Sequence, residues 1–107
     1  MKRLTIWIVD PGHAWLQVPA SKANQVPGIS TFSYLSPDGN TAYLEHDCDA
    51  GRYLEHFGID GSTLASRVLN DDAPCRNYPS YQNHAALRAI GQSLMRINRI
   101  TDDEVSA

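Results

Sequence analysis

Leu4-Thr5-Ile6-Trp7-Ile8-Val9, then Asp10-Pro11-Gly12-His13, then Trp15-Leu16-Gln17-Val18 before Pro19, is the run that decides the fold. The first six residues are β-branched or large and apolar, with Leu4, Ile6 and Ile8 alternating onto one face. Trp7 and Val9 are apolar too, which predicts a central strand buried on both sides. Pro11 presets φ at the second position of a turn and Gly12 suits positive φ at the third, a type II pattern. Trp15 to Val18 then reads as a second strand, closed by a proline that cannot continue a ladder.

Working outward, residues 19–30 are polar with two prolines, a loop with one helical turn over residues 20–25. Thr31-Phe32-Ser33-Tyr34-Leu35, Ser36-Pro37-Asp38-Gly39 and Thr41-Ala42-Tyr43-Leu44-Glu45 form a strand–turn–strand signal. Phe32, Tyr34, Ala42 and Leu44 are its expected inward face, with a one-residue register slip as the alternative. Asp47 and Asp49 are both suitable N-caps for a helix over residues 50–57, ended by Gly58. Tyr53, Leu54 and Phe57 recur at helical spacing and should pack on the sheet. Residues 63–69 fit both periods, and we read them as an edge strand. Leu87, Ile90, Leu94 and Ile97 define the apolar stripe of a long C-terminal helix over about residues 83–99. An acidic tail follows at 101–107. The expected fold class is α+β: a small antiparallel sheet with a short helix and a long C-terminal helix packed on one side.

A chain of 107 residues buries about two thirds of its extended surface, enough for one core and a single domain, 1–107. Nine Lys and Arg against twelve Asp and Glu leave a net charge of −3. That balance argues against a generic nucleic-acid binder. The apolar run Ile6-Trp7-Ile8-Val9 is too short to cross a bilayer, and Met1-Lys2-Arg3 leads into no signal-type apolar region. A cytoplasmic protein, without membrane partners, is the expectation. Cys48 and Cys75 would then be reduced thiols.

Three stretches carry more specificity together than singly. They are Asp10-Pro11-Gly12-His13-Ala14-Trp15-Leu16, Tyr43-Leu44-Glu45-His46-Asp47-Cys48-Asp49 and Arg76-Asn77-Tyr78. In order and spacing the chain resembles a group of small uncharacterised proteins of bacteriophages and mobile elements, with the pattern DPGHxWL, YLExDCD and RNY. The resemblance covers about residues 4–81. Ala14 stands where that pattern has glycine, and His46 where it has a second glutamate. It implies a phage-type setting in a host cytoplasm and no particular chemistry.

Several constellations admit both a structural and a functional reading. His13 at a turn tip suits a general base or a metal ligand, but beside Asp10 it more simply stiffens the turn. His46, Asp47, Cys48 and Asp49, with His56 beyond, are metal-ligand types lacking the paired spacing of a structural zinc site. Their plainer role is helix capping. Cys48 near a helix start could serve as a nucleophile if a histidine (His13, His46, His56 or His84) lay beside it. No nucleophile elbow or phosphate loop is present. Arg88, Arg96 and Arg99 read as a solvated helix face, and as an alternative binding face.

The reading that follows is a non-enzymatic protein acting by binding a host protein or protein–nucleic-acid complex, with inhibition of a bacterial defence system of the CRISPR kind as the specific expectation. No cofactor or metal is expected. The expected surface is His13 with Glu45, Asp47, Asp49 and Arg52, its carboxylates facing a basic patch. A small metal- or cysteine-dependent enzyme using His13, His46 and Cys48 is the alternative. A homo-dimer paired through the C-terminal helix is a third reading.

Overall fold

The computed structural model describes residues 5–83. Five strands, β1 (Ile6–Val9), β2 (Ala14–Pro19), β3 (Tyr34–Leu35), β4 (Thr41–Glu45) and β5 (Ser66–Val68), build one sheet in the order β3-β4-β2-β1-β5. Two helices, α1 (Ala20–Ala23) and α2 (Asp49–Phe57), and two 3-10 turns (Gly61–Thr63 and Pro74–Asn77) complete the described residues. The stretch 63–69, ambiguous in sequence, does supply a strand.

The sheet is mixed, which corrects the antiparallel expectation. β1 pairs antiparallel with β2, but β5 runs parallel to β1 on its other side. The cause is the connection. Between β1 and β5 the chain builds the rest of the sheet and then α2, so it returns by a crossover rather than a tight hairpin, and crossovers deliver parallel strands. The long helix expected over residues 83–99 lies outside the described residues. Among these the helices have four and nine residues.

Period-two alternation splits the sheet into two faces. On one, Leu16, Val18, Leu35, Ala42 and Leu44 pack with Ala20, Ala23, Ala50 and Tyr53 from the two helices. Leu54 and Phe57 pack against this cluster, as their helical spacing predicts. On the other, Ile8 and Trp15 pack against Ala73 and Cys75, so residues 69–78 partly roof the face that the helices leave open. The register of β3 is one residue from expectation. Leu35 points into the helical layer, Tyr34 lies on the opposite face, and Phe32 is 73 % exposed. The strand is only two residues long, so Phe32 falls outside the ladder that would turn it inward.

The β1–β2 turn is built differently from a type II turn. Gly12 is not among the glycines with positive φ, which are Gly28, Gly39 and Gly58. Instead the Asp10 carboxylate folds back. Its Oδ1 accepts from the Gly12 and His13 N–H groups at 3.0 and 2.8 Å, the short-range bonding that lets an aspartate make a turn by itself. A Cβ at position 12 would lie 3.0 Å from an Arg76 nitrogen, so a larger residue there would press on the guanidinium that Asp10 holds.

The same carboxylate reaches the roof of the second face. Oδ2 accepts from the Ala73 N–H at 2.9 Å and from Arg76 Nε at 2.7 Å, and a second Arg76 nitrogen donates to Oδ1 at 3.0 Å. The Arg76 guanidinium beside Asp10 holds its carboxyl well below the usual carboxylate range, helped by the Ala73, Gly12 and His13 donors. A carboxyl depressed below its ordinary 3.8 contributes its full stabilisation above that pH, and the contribution is lost progressively as pH falls from there through the lower folded-state value. We therefore expect Asp10→Asn to lower Tm at pH 7. The Tm values of wild type and variant should converge as pH drops from about 5 toward about 2. Parallel melting curves with a constant offset over that range would contradict the assignment.

Candidate functional site at the His13–Glu45 end of the sheet

Two elements meet at this end of the sheet. The β1–β2 turn positions His13, whose backbone is pinned by Asp10. Trp15 pairs with Glu45 across β2 and β4, which sets the Glu45 side chain on the same face and within reach of the turn. His13 Nε2 lies 3.4 Å from Glu45 Oε1, and the His13 ring tilts against Trp15 with centroids 5.1 Å apart. Asp47, in the turn between β4 and α2, completes the group. One ligand atom each from His13, Glu45 and Asp47 lies within 4.8 Å of the others.

His46 and Trp7 flank this group. The His46 ring sits 5.3 Å from Trp7, and its Nδ1 is 3.1 Å from Asp47 Oδ1. Trp7 is itself fixed by donating from Nε1 to the Gly61 carbonyl at 2.9 Å. Arg76 lies over the Trp15 ring at 5.0 Å, so the cation that holds Asp10 also packs beside the site.

The structure thus gathers His13, Glu45 and Asp47 from the residues expected to form a surface, and separates the other two. Asp49 is fully buried. Its carboxylate accepts from the Ser30 N–H at 3.1 Å, the Ser30 hydroxyl at 2.6 Å and the Ser33 hydroxyl at 2.5 Å. Ser33 Oγ in turn accepts from the Glu45 N–H at 2.9 Å, so Asp49 helps to place the strand end that carries Glu45. Arg52 is exposed and packs along Gly28, where a Cβ would lie 3.2 Å from its guanidinium. The alternative face of Arg88, Arg96 and Arg99 lies outside the described residues, as does His84.

Capping is also corrected. Cys48 occupies the N-cap of α2 with no side-chain cap bond; Asp49 is already helical, and Asp47 is 70 % exposed and turned to His46. The buried serines outcompete the helix end for the Asp49 carboxylate. Gly58 ends the helix at φ 64°, as its sequence position suggests.

The cysteine chemistry weighed for Cys48 and His13 does not assemble. Both cysteines are free, Cys48 exposed and Cys75 buried. Among the described residues no imidazole hydrogen-bonds the Cys48 thiol. Burial, reinforced by the nearby Asp10 charge, pushes the Cys75 thiol up to about 12, away from the thiolate a nucleophile needs. What remains at this end of the sheet is a half-buried imidazole and carboxylate, His13 and Glu45, beside the exposed carboxylate of Asp47. Such a group can accept hydrogen bonds from a cationic partner or ligate a divalent ion.

Asp10 and Arg76 were the residues that sequence reasoning underrated. Both lie within the quoted motifs, but 66 positions separate them, and no local pattern signals that they meet. Ser33 was missed as well, because a serine within an alternating stretch reads as a solvent-facing residue.

Two measurements check this arrangement. In urea unfolding, Asp49→Ala should cost about 1–3 kcal/mol for each serine donor left buried and unpaired, while Asp47→Ala should stay within about 0.5 kcal/mol. Equal costs for the two would restore capping as their shared role. In thiol labelling of the native protein, one equivalent should react rapidly, at Cys48, and the second only in denaturant. Rapid reaction of both would show that Cys75 is not enclosed.

Compared with family models, with curated proteins and with solved structures, the chain finds no match in any of the three. The functional reading of this end of the sheet therefore rests on its geometry.

Proposed function

We propose that this is a non-enzymatic binding protein that engages a basic surface on a host macromolecule through His13, Glu45 and Asp47. The observation that supports it is the convergence of these three side chains from two separate elements onto one open end of the sheet. Trp7 and Trp15 stiffen that end through ring contacts with His46 and His13, which lowers the entropy lost when a partner docks. The finer reading, a phage-type inhibitor of a bacterial defence system, rests on the motif resemblance alone. Arginine-rich grooves that bind nucleic acid are the kind of target surface that two adjacent carboxylates complement. No helix among the described residues is long and apolar enough to cross a membrane.

An arginine-rich synthetic peptide is a direct probe. Surface charge pairs contribute about 0.2–1 kcal/mol each, so Glu45→Gln with Asp47→Asn should weaken binding about 2- to 30-fold at low salt. The difference should shrink as ionic strength rises past about 0.15 M. Asp49 stays unchanged in this variant, because its carboxylate holds the fold. Equal binding by a folded double variant at both salts would remove this surface from the function.

A second reading, favoured by the same 4.8 Å grouping, is a divalent-cation site with His13, Glu45 and Asp47 as ligands and an open side toward solvent. This replaces the set of His13, His46 and Cys48, since His46 turns to Trp7 and Cys48 lies outside the group. Calorimetric titration with zinc and manganese should show one site that His13→Ala abolishes. Absence of any binding heat removes this reading and leaves the first one standing.

A further inference from the structure

The two edges of the sheet are treated differently. At β3 the edge is closed by the chain itself: the Leu35 N–H donates to the Pro79 carbonyl, Tyr34 bridges Ser80, and the Tyr81 N–H donates to the Ser33 carbonyl. At β5 it is open. All three residues of that strand are exposed, and Val68 reaches 72 %.

Backbone polarity on β5 follows from its pairing. The Trp7 N–H donates to the Ala65 carbonyl and the Leu69 N–H to the Val9 carbonyl, so residues 65, 67 and 69 turn their peptide groups toward β1. By alternation, Ser66 and Val68 direct their N–H and C=O groups away from the sheet. An added strand would find four main-chain partners there.

Side-chain chemistry on this edge is specific as well. Arg67 pairs with Ile8 and shares its face, and it has no carboxylate partner among the described residues. Arg67 lines a cavity of about 190 Å³ under the roof of the second face, together with Ile8, Gln17, Tyr43, Cys75 and Tyr78. That volume is below the roughly 300 Å³ where small-molecule sites begin. Val68 lies on the opposite face, where a β-branched neighbour on an added strand would cover it.

We propose that β5 is a strand-addition site for an extended segment of a partner protein, one that sets a carboxylate beside Arg67 between β-branched residues beside Ser66 and Val68. Main-chain bonds supply the attachment in such a mode, and alternate side chains supply the selectivity. Charge complementarity chooses a partner over a second copy of this chain. A two-fold pairing that used both Ser66 and Val68 would set Arg67 against Arg67, and like charges directly opposite are destabilising. Glu45 of the His13 group stands apart from this site, since β2 and β1 separate β4 from β5.

The test is amide NMR of the full chain with two peptides, acetyl-Thr-Val-Glu-Val-Thr-amide and its counterpart with lysine in place of glutamate. The glutamate peptide should shift the Ser66 and Val68 amides, protect them from exchange, and bind about 2- to 5-fold more tightly than the lysine peptide. Arg67→Glu should reverse that preference. Val68→Pro removes an outward N–H without touching the β1 ladder, so it should keep its Tm and lose the peptide. Should the proline variant not fold, the reversal by Arg67→Glu decides. Equal affinity for the two peptides, no response at Ser66 and Val68, or shifts there that follow protein concentration without peptide would each overturn the proposal.

Discussion

The described structure hangs on one buried carboxylate. Asp10 closes β1, makes the turn to β2 with its own side chain, and accepts both Ala73 N–H and the Arg76 guanidinium from the other end of the described chain. Beyond the Leu69 N–H bond to Val9, it is Asp10 that ties residues 69–78 to the sheet face that they roof. Arg76 then contributes twice, since the guanidinium that neutralises Asp10 also lies against Trp15. A charge taken from water is tolerated only when paired and hydrogen-bonded, and here each carboxylate oxygen has more than one donor.

Asp49 repeats this logic at the other layer. It is enclosed between α2 and the loop before β3, and two serines rather than a cation satisfy it. Through Ser33 the network reaches the Glu45 backbone. The two buried aspartates therefore fix the turn that carries His13 and the strand end that carries Glu45. The quoted motifs turn out to be chiefly structural: Asp10, Arg76 and Asp49 are spent on holding the fold, while His13, Glu45 and Asp47 are what these anchors present to solvent.

The molecule thereby offers two unlike surfaces. At one end of the sheet, an imidazole and two carboxylates converge beside aromatic rings. At the β5 edge, main-chain groups unpaired among the described residues flank an arginine that lines a small cavity. One suits a cationic surface and the other an extended acidic segment. Two strands lie between β4, which carries Glu45, and the β5 edge.

Local pattern was enough for β1, β2 and β4, the αL glycine at 58 and the apolar face of α2, because each depends on neighbours within a few residues. The hairpin register was not legible, since a two-residue β3 gives alternation too little length to act on. Nor was the mixed sheet, because strand direction depends on how the whole intervening chain returns to β1. The site was half legible. His13, Glu45 and Asp47 could be named from residue type and proximity to turns, but Asp49 carries the same side chain as Asp47 and took the opposite role. Burial decided between them: two serines inside the fold offered Asp49 better hydrogen bonds than water or a helix end, and only the tertiary structure brings those serines there.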